Sequence, residues 1–398
     1  MGLRDSFHAD RVPPWELRHI LEMHFDGASF EGGDRVVYAR EGQPALAVTH
    51  TKGEIKEIEA LPGLSDADVS EISEKVAEGA LADSVQMVRR DFVFCRSPVP
   101  AGWRYRDSFQ ISPAPEQAPR PPWLVGEHPM VLEVPYRDSP VGAIGQTRAS
   151  QAVFEINLIL SGLIPSILAK QPWRSMQQWA IVMEDDDLPR RSVWTQPVYL
   201  CERFDHVSDG FSLLQTELKL VADGEFFTPW GGAASDEGLL LPASLERMLD
   251  GFNSLDLERR DRFLRWCYWL NFSKLSGGLS MSASYLAIIQ AVEALRPEVS
   301  SEPCACCGKQ TGPGPTRQFI DFMDRYAPRQ DDETERERGR LYGLRSALTH
   351  GGKLMAWDTE LGFGSFYPAA INESDSARRA SFLVRLAGVN WLLAAAQS

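Results

Sequence analysis

Two residues near one predicted helix end could do chemistry together: Arg345 and His350, in Leu341-Tyr342-Gly343-Leu344-Arg345-Ser346-Ala347-Leu348-Thr349-His350-Gly351-Gly352. A guanidinium stays charged at physiological pH and grips a phosphate through two parallel hydrogen bonds. An imidazole gives and takes protons near neutrality. Together they suit cleavage of RNA without a metal. In that reaction the 2′-hydroxyl loses a proton as it attacks phosphorus, the departing 5′-oxygen gains one, and the phosphorane needs a cation for its extra negative charge.

A helix must position this pair. Residues 333–350 read as one, because Leu341, Leu344 and Leu348 recur at steps of three and four and Gly351-Gly352 supplies a C-terminal stop. Five residues turn a helix through about 140°, so Arg345 and His350 flank a shared edge of the last turns and do not stack. The same residues have a purely structural reading. Arg345 would pair with a helix-face carboxylate such as Glu337 or Glu293, and His350 would be favoured at the C-terminus by the helix dipole.

The pattern Leu-Tyr-x-Leu-Arg-Ser-x-x-x-His-Gly, from Leu341 to Gly351, resembles the Arg…His signature of HEPN domains in the Apea-like branch. Many members of that branch occur in bacterial defence and toxin systems. Upstream, residues 285–295 resemble the helix that precedes the signature, with an apolar side and the single carboxylate of Glu293. The resemblance covers about residues 254–398. It implies an all-α bundle that dimerises so that Arg345 and His350 of two subunits face each other. His350 would be the general acid/base and Arg345 the phosphorane stabiliser, with Ser346 as the polar neighbour of the Arg and Tyr342 and Glu293 in support. Catalytic members often carry Asn, Asp or His directly after the Arg, where this chain has Ser346, the usual residue of the Apea-like branch.

The expected function is therefore a metal-independent endoribonuclease of a defence or toxin type, whose N-terminal region senses a protein or phage-derived trigger. The alternative is a non-catalytic protein whose bundle dimerises or binds RNA while the N-terminal region recruits a partner.

Composition frames this reading. A chain of 398 residues with 43% hydrophobic content can bury two or three cores. It has neither an apolar run of membrane-spanning length nor an apolar segment behind Met1, so the expectation is a cytoplasmic protein without membrane contact. From Ser254 onward there are 18 Lys and Arg against 17 Asp and Glu, leaving 23 against 38 before it. An acidic N-terminal part repels nucleic acid, so the near-neutral C-terminal part is the expected RNA face.

Six cysteines without a secretory signal suit reduced thiols or a metal. Cys304-Ala305-Cys306-Cys307-Gly308-Lys309 contains a Cys-x-x-Cys knuckle, but a zinc site needs four ligands, and Cys95, Cys201 and Cys267 are isolated in sequence. Two readings stand: a structural zinc through Cys304 and Cys307 with Cys306 or a partner-chain ligand, and a reduced cysteine-rich loop. No cofactor is expected for catalysis. Glu184-Asp185-Asp186-Asp187 is either a carboxylate site for a divalent cation or, with Leu188-Pro189 behind it, a solvated turn.

Along the chain, residues 34–40 and 45–50 alternate around Glu41-Gly42-Gln43-Pro44 and predict a hairpin, and residues 66–81 predict a helix. Strands are expected at 91–96, 131–136, 178–183 and 193–204, with an apolar helix at 146–164. Eight prolines in residues 97–129 predict a long loop. Residues 1–245 thus read as an acidic α+β region, two lobes split by that loop, and residues 250–398 as a HEPN-like helical bundle. The bundle's predicted helices are 255–275, 281–295, 316–326, 333–350 and 376–396. The aromatic residues of the first, including Trp266 and Trp269, are expected in the core or at a dimer interface.

Overall fold

The computed structural model describes residues 2–51, 54–81, 85–116, 118, 127–169, 178–182, 191–195, 201, 203–228, 237–296, 306, 313–328, 332–359 and 368–397. They form a β-rich N-terminal part and a run of C-terminal helices. The chain divides into two compact units. The first comprises Met1–Arg89, Val134–Ala152 and Val207–Phe211, and the second Arg90–Glu133, Val153–His206 and Ser212–Ser398.

The first unit opens with helices α1 (Leu3–Ser6) and α2 (Pro14–His24), then strands β1 (Gly27–Glu31), β2 (Arg35–Arg40), β3 (Gln43–Thr51) and β4 (Glu54–Ala60). These strands make an antiparallel meander in chain order. The predicted hairpin is β2–β3. Its two-residue turn puts Glu41 and Gly42 at φ 51° and 78°, the left-handed geometry that matches strand twist. Helix α3 (Asp66–Val76) starts from a capping box in which Ser65 and Asp68 satisfy each other's backbone N–H groups, and a π-turn (Ala77–Leu81) completes the predicted 66–81 segment. Leu17, Ile20 and Leu21 of α2 and Ile72 and Val76 of α3 share one core with Tyr38, Leu46 and Val48 of the sheet. Glu16 is buried there, and Arg148 neutralises it with a two-pronged grip, Nε to Oε1 at 2.8 Å and Nη2 to Oε2 at 2.6 Å.

The middle of the chain holds β5 (Gln86–Cys95), β6 (Trp103–Tyr105), β7 (Phe109–Pro113), β8 (His128–Arg137), α4 (Gly142–Leu163) and β9 (Ile167–Leu168). After them come β10 (Gln178–Val182), β11 (Arg191–Thr195), β12 (Val207–Ser208), β13 (Leu220–Val221), α5 (Asp223–Phe226) and β14 (Leu241–Pro242). Two sequence expectations are corrected here. The proline-rich residues 97–129 are not all loop, since β6 and β7 form a hairpin inside them and β7 pairs with β8 from Gln110↔Glu133 to Pro113↔Met130. Proline punctuates this hairpin without interrupting it. Pro98 and Pro100 precede it and Pro113 is the last residue of β7, while the rings of Trp103, Tyr105 and Phe109 pack together and are buried. Of the strand expected at 193–204, β11 holds residues 193–195, residues 201, 203 and 204 are not in a strand, and the rest lie outside the described residues.

The helices follow as α6 (Leu245–Asn253), α7 (Leu257–Ser276), α8 (Met281–Leu295), α9 (Pro315–Tyr326), α10 (Asp332–Thr349), α11 (Ala356–Thr359) and α12 (Pro368–Ala395). Five match the sequence reading; α6 and α11 were not foreseen. Asp256 and Ser280 cap α7 and α8 by accepting the N–H groups of Arg259 and Ala283. Of the two places expected for Trp266, the core and a dimer interface, the structure gives it the core. It is fully buried, stacked 4.9 Å from Phe263 and pressed against Gly388 of α12, where a Cβ would lie 2.2 Å from the indole. Tyr268 and Phe272 remain exposed on the other side of α7. No helix among the described residues is long and apolar enough to cross a membrane.

Candidate functional site

The end of α10 is fixed by a Schellman motif. Gly351 takes φ 69°, its N–H reaches Leu348 O at 3.2 Å, and the N–H of Gly352 reaches Ala347 O at 3.0 Å. That geometry makes His350 the C-cap of α10, directly after Thr349, with its N–H on Ser346 O at 3.1 Å. Its side chain is exposed, and the ring makes no hydrogen bond among the described residues. An imidazole held by backbone alone is open to whatever approaches the helix end.

Arg345 lies one turn back and is half-buried. Its Nη2 sits 3.0 Å from Glu293 Oε1 and 3.3 Å from Oε2, and its guanidinium carbon is 5.4 Å from the centre of the Tyr342 ring. The Nε is buried and has no hydrogen-bond partner among the described residues. A buried donor left unmade costs about 1–3 kcal/mol, so this guanidinium is under-bonded where it rests.

The supporting positions follow from helix packing. Tyr285 on α8 donates its hydroxyl to Leu341 O at 2.8 Å, which locks α8 against α10 and places Glu293, two turns further along α8, beside Arg345. Tyr342 is buried, with its ring 5.1 Å from that of Phe319 on α9. The structure therefore brings Arg345, Glu293 and Tyr342 into contact, and Ser346, half-buried, sits on the turn between Arg345 and His350. Of the two carboxylates considered for Arg345, Glu293 is its partner; the side chain of Glu337 lies outside the described residues.

The cysteine knuckle is described only at Cys306, which is exposed; Cys304 and Cys307 lie outside the described residues, as does the acidic run 184–187.

Sequence reasoning missed a clamp below the site. Asp358 on α11 accepts from Met281 N at 2.7 Å, Ser282 N at 2.8 Å and Ser280 Oγ at 2.9 Å, so it caps the N-terminus of α8 from another helix. Burial would raise its pKa, but the bonds from Ser282, Met281 and Ser280 hold the carboxyl below the usual carboxylate range. No local signal could have announced it, because donors and acceptor are far apart in sequence.

A second cationic cluster was also missed. The C-terminus of α4 is buried, and Lys274 of α7 donates to Ser161 O at 2.7 Å and to Ile167 O, while Arg385 of α12 donates to Gly162 O. Burial lowers the Lys274 ammonium well below the usual lysine range and Arg385 to about 10. Comparison of the chain with protein-family models, curated proteins and solved structures returned no match.

Proposed function

We propose that the chain is a metal-independent endoribonuclease of the HEPN kind, with His350 as general acid/base and Arg345 as the cation that faces the phosphorane. The observation that carries this reading is the under-bonded Arg345 guanidinium one turn before the exposed imidazole of His350. An imidazole at His350 takes the proton of a ribose 2′-hydroxyl as the 2′-oxygen bonds to phosphorus. The bond from phosphorus to the 5′-oxygen breaks, and that oxygen receives a proton from an imidazole. Products are a 2′,3′-cyclic phosphate and a 5′-hydroxyl. One imidazole serves one oxygen at a time, so a second copy of the chain supplies the other proton carrier through a homodimer of the helical part. The N-terminal part is the region that receives a trigger.

The ion pair with Glu293 favours a second reading, in which Arg345 holds α8 to α10 and the bundle dimerises or binds RNA without cutting it. One assay separates the two. Full-length protein incubated with RNA in EDTA yields cyclic-phosphate ends under the first reading, and RNA methylated at the 2′-oxygen resists. Intact RNA supports the second, and 5′-phosphate products that vanish on chelation rule out this site as the source of the chemistry.

A further inference from the structure

The four-stranded sheet of the first unit has two edges treated in opposite ways. On β4, charged side chains line the strand at Glu54, Lys56, Glu57 and Glu59, and Arg4 donates to Lys56 O at 2.9 Å, occupying an edge carbonyl. These are the devices by which proteins blunt an edge against pairing. On β1 no such row is present. All five residues, Gly27-Ala28-Ser29-Phe30-Glu31, are exposed, only Glu31 is charged, and among the described residues the strand pairs with β2 alone.

Register says what the bare edge offers. Phe30 pairs with Val36 and Ala28 with Tyr38, both buried in the core, so Ala28 and Phe30 continue the core face of the sheet past its last covered strand. Phe30 is 68% exposed there, with the Arg18 guanidinium 5.9 Å from its ring centre as its cover.

We propose that the outer edge of β1 docks a second copy of itself, antiparallel and centred on Ser29. In that register Phe30 lies opposite Ala28 of the other copy, large against small, on the core face. On the opposite face Glu31 lies opposite Gly27 and Ser29 opposite Ser29. No carboxylate faces another, whereas parallel pairing in register would bring the two Glu31 side chains together. A five-residue strand is about 17 Å long, and the contact falls short of the roughly 800 Å² per partner of stable dimers. The association is therefore weak and concentration-dependent. It is independent of the ribonuclease reading. If a bundle dimer also forms, a second two-fold contact links dimers into linear arrays.

Cysteine placed along β1 in the full-length chain reads the register directly. Ser29→Cys puts two thiols on opposed residues, whose Cβ atoms stand about 4.5–5.5 Å apart. Glu31→Cys, equally exposed, stands about 14 Å from its mate. Under mild oxidation the Ser29→Cys chain gives a disulfide-linked dimer whose yield rises with protein concentration, while Glu31→Cys stays at the background of the parent chain, which carries the exposed Cys306. Adding Phe30→Lys or Ala28→Lys, both at exposed positions, abolishes that cross-link. A yield from Ser29→Cys no higher than from Glu31→Cys or the parent overturns the proposal, as does a cross-link that survives both lysine variants. Because the readout is confined to β1, it is unaffected by whether the chain cuts RNA or dimerises through its helices.

Discussion

Two cationic sites in the second unit put the same chemistry to different use. Lys274 and Arg385 end against the backbone carbonyls of Ser161, Gly162 and Ile167, and no carboxylate ion pair to either is observed among the described residues. They finish the buried C-terminus of α4, where unsatisfied carbonyls and the negative end of the helix dipole would otherwise meet apolar side chains. Arg345 has a carboxylate partner, a ring beneath it and an Nε without a partner among the described residues, and it lies about one helical turn before the exposed His350. A cation saturated by backbone serves the fold; one left under-bonded at an accessible helix end is, under the proposed function, the one that meets a substrate.

The sharpest test of this contrast is a pair of substitutions at α10. His350→Ala is expected to reduce RNA cleavage by about 10²–10⁴-fold, the usual cost of losing a general acid/base, with no change in thermal unfolding, since its ring makes no hydrogen bond among the described residues. Cleavage at the parental rate would remove His350 from the mechanism. Arg345→Lys should fall in the same range, because a point charge does not reproduce the planar two-pronged grip on phosphate.

The buried cluster should answer in the opposite sense. Arg385→Met leaves Gly162 O without its donor inside the core, and an unsatisfied buried group costs about 1–3 kcal/mol. Chemical denaturation should show a lower midpoint with an unchanged slope. RNA cleavage measured well below the melting temperature should stay within about twofold, a change of under 0.5 kcal/mol in activation free energy. Loss of activity in a folded Arg385→Met chain would erase the distinction between the two sites.

Glu293→Gln falls between them. The pair is partly solvated, so its loss should cost no more than about 1 kcal/mol of stability, and cleavage should drop by less than for His350→Ala because Arg345 is loosened and not removed. A collapse of stability would make Glu293 a structural keystone and favour the non-catalytic reading.

The smallest effect concerns one buried and one half-buried base in the first unit. Burial lowers the pKa of His24, set against Asp68, Glu71, Lys75 and Arg40, and likewise that of His50, both from 6.5. A base with a depressed folded-state pKa contributes stability that is complete above its unfolded value and is lost as pH falls through the folded one. The melting temperature of the full-length chain should therefore decline as pH drops below about 6.5, and His24→Gln should flatten that decline. An identical pH profile in the variant would place the titration elsewhere.

Much of the local structure was legible in the residues themselves. The three- and four-residue steps of Leu341, Leu344 and Leu348 and the glycines behind His350 fixed both the course and the end of α10, because helix periodicity and the left-handed stop are short-range properties. The β2–β3 hairpin was readable from Glu41-Gly42 for the same reason. The proline-rich segment misled because proline removes only its own backbone N–H donor, while the aromatic packing of Trp103, Tyr105 and Phe109 that builds β6 and β7 is a contact between strands. For Trp266 the residues alone left core and interface both open, because which aromatic side of α7 is covered depends on the glycine that α12 presents.

Sequence by itself determined that Arg345 and His350 share the last turns of one helix, since both sit on a single stretch of regular hydrogen bonding. Only the tertiary structure decided which carboxylate holds Arg345, that Asp358 caps α8, and that Lys274 and Arg385 finish α4. Each of those contacts joins groups on different elements. Their formation depends on how side-chain volumes set the spacing and rotation of whole helices, which no local pattern encodes.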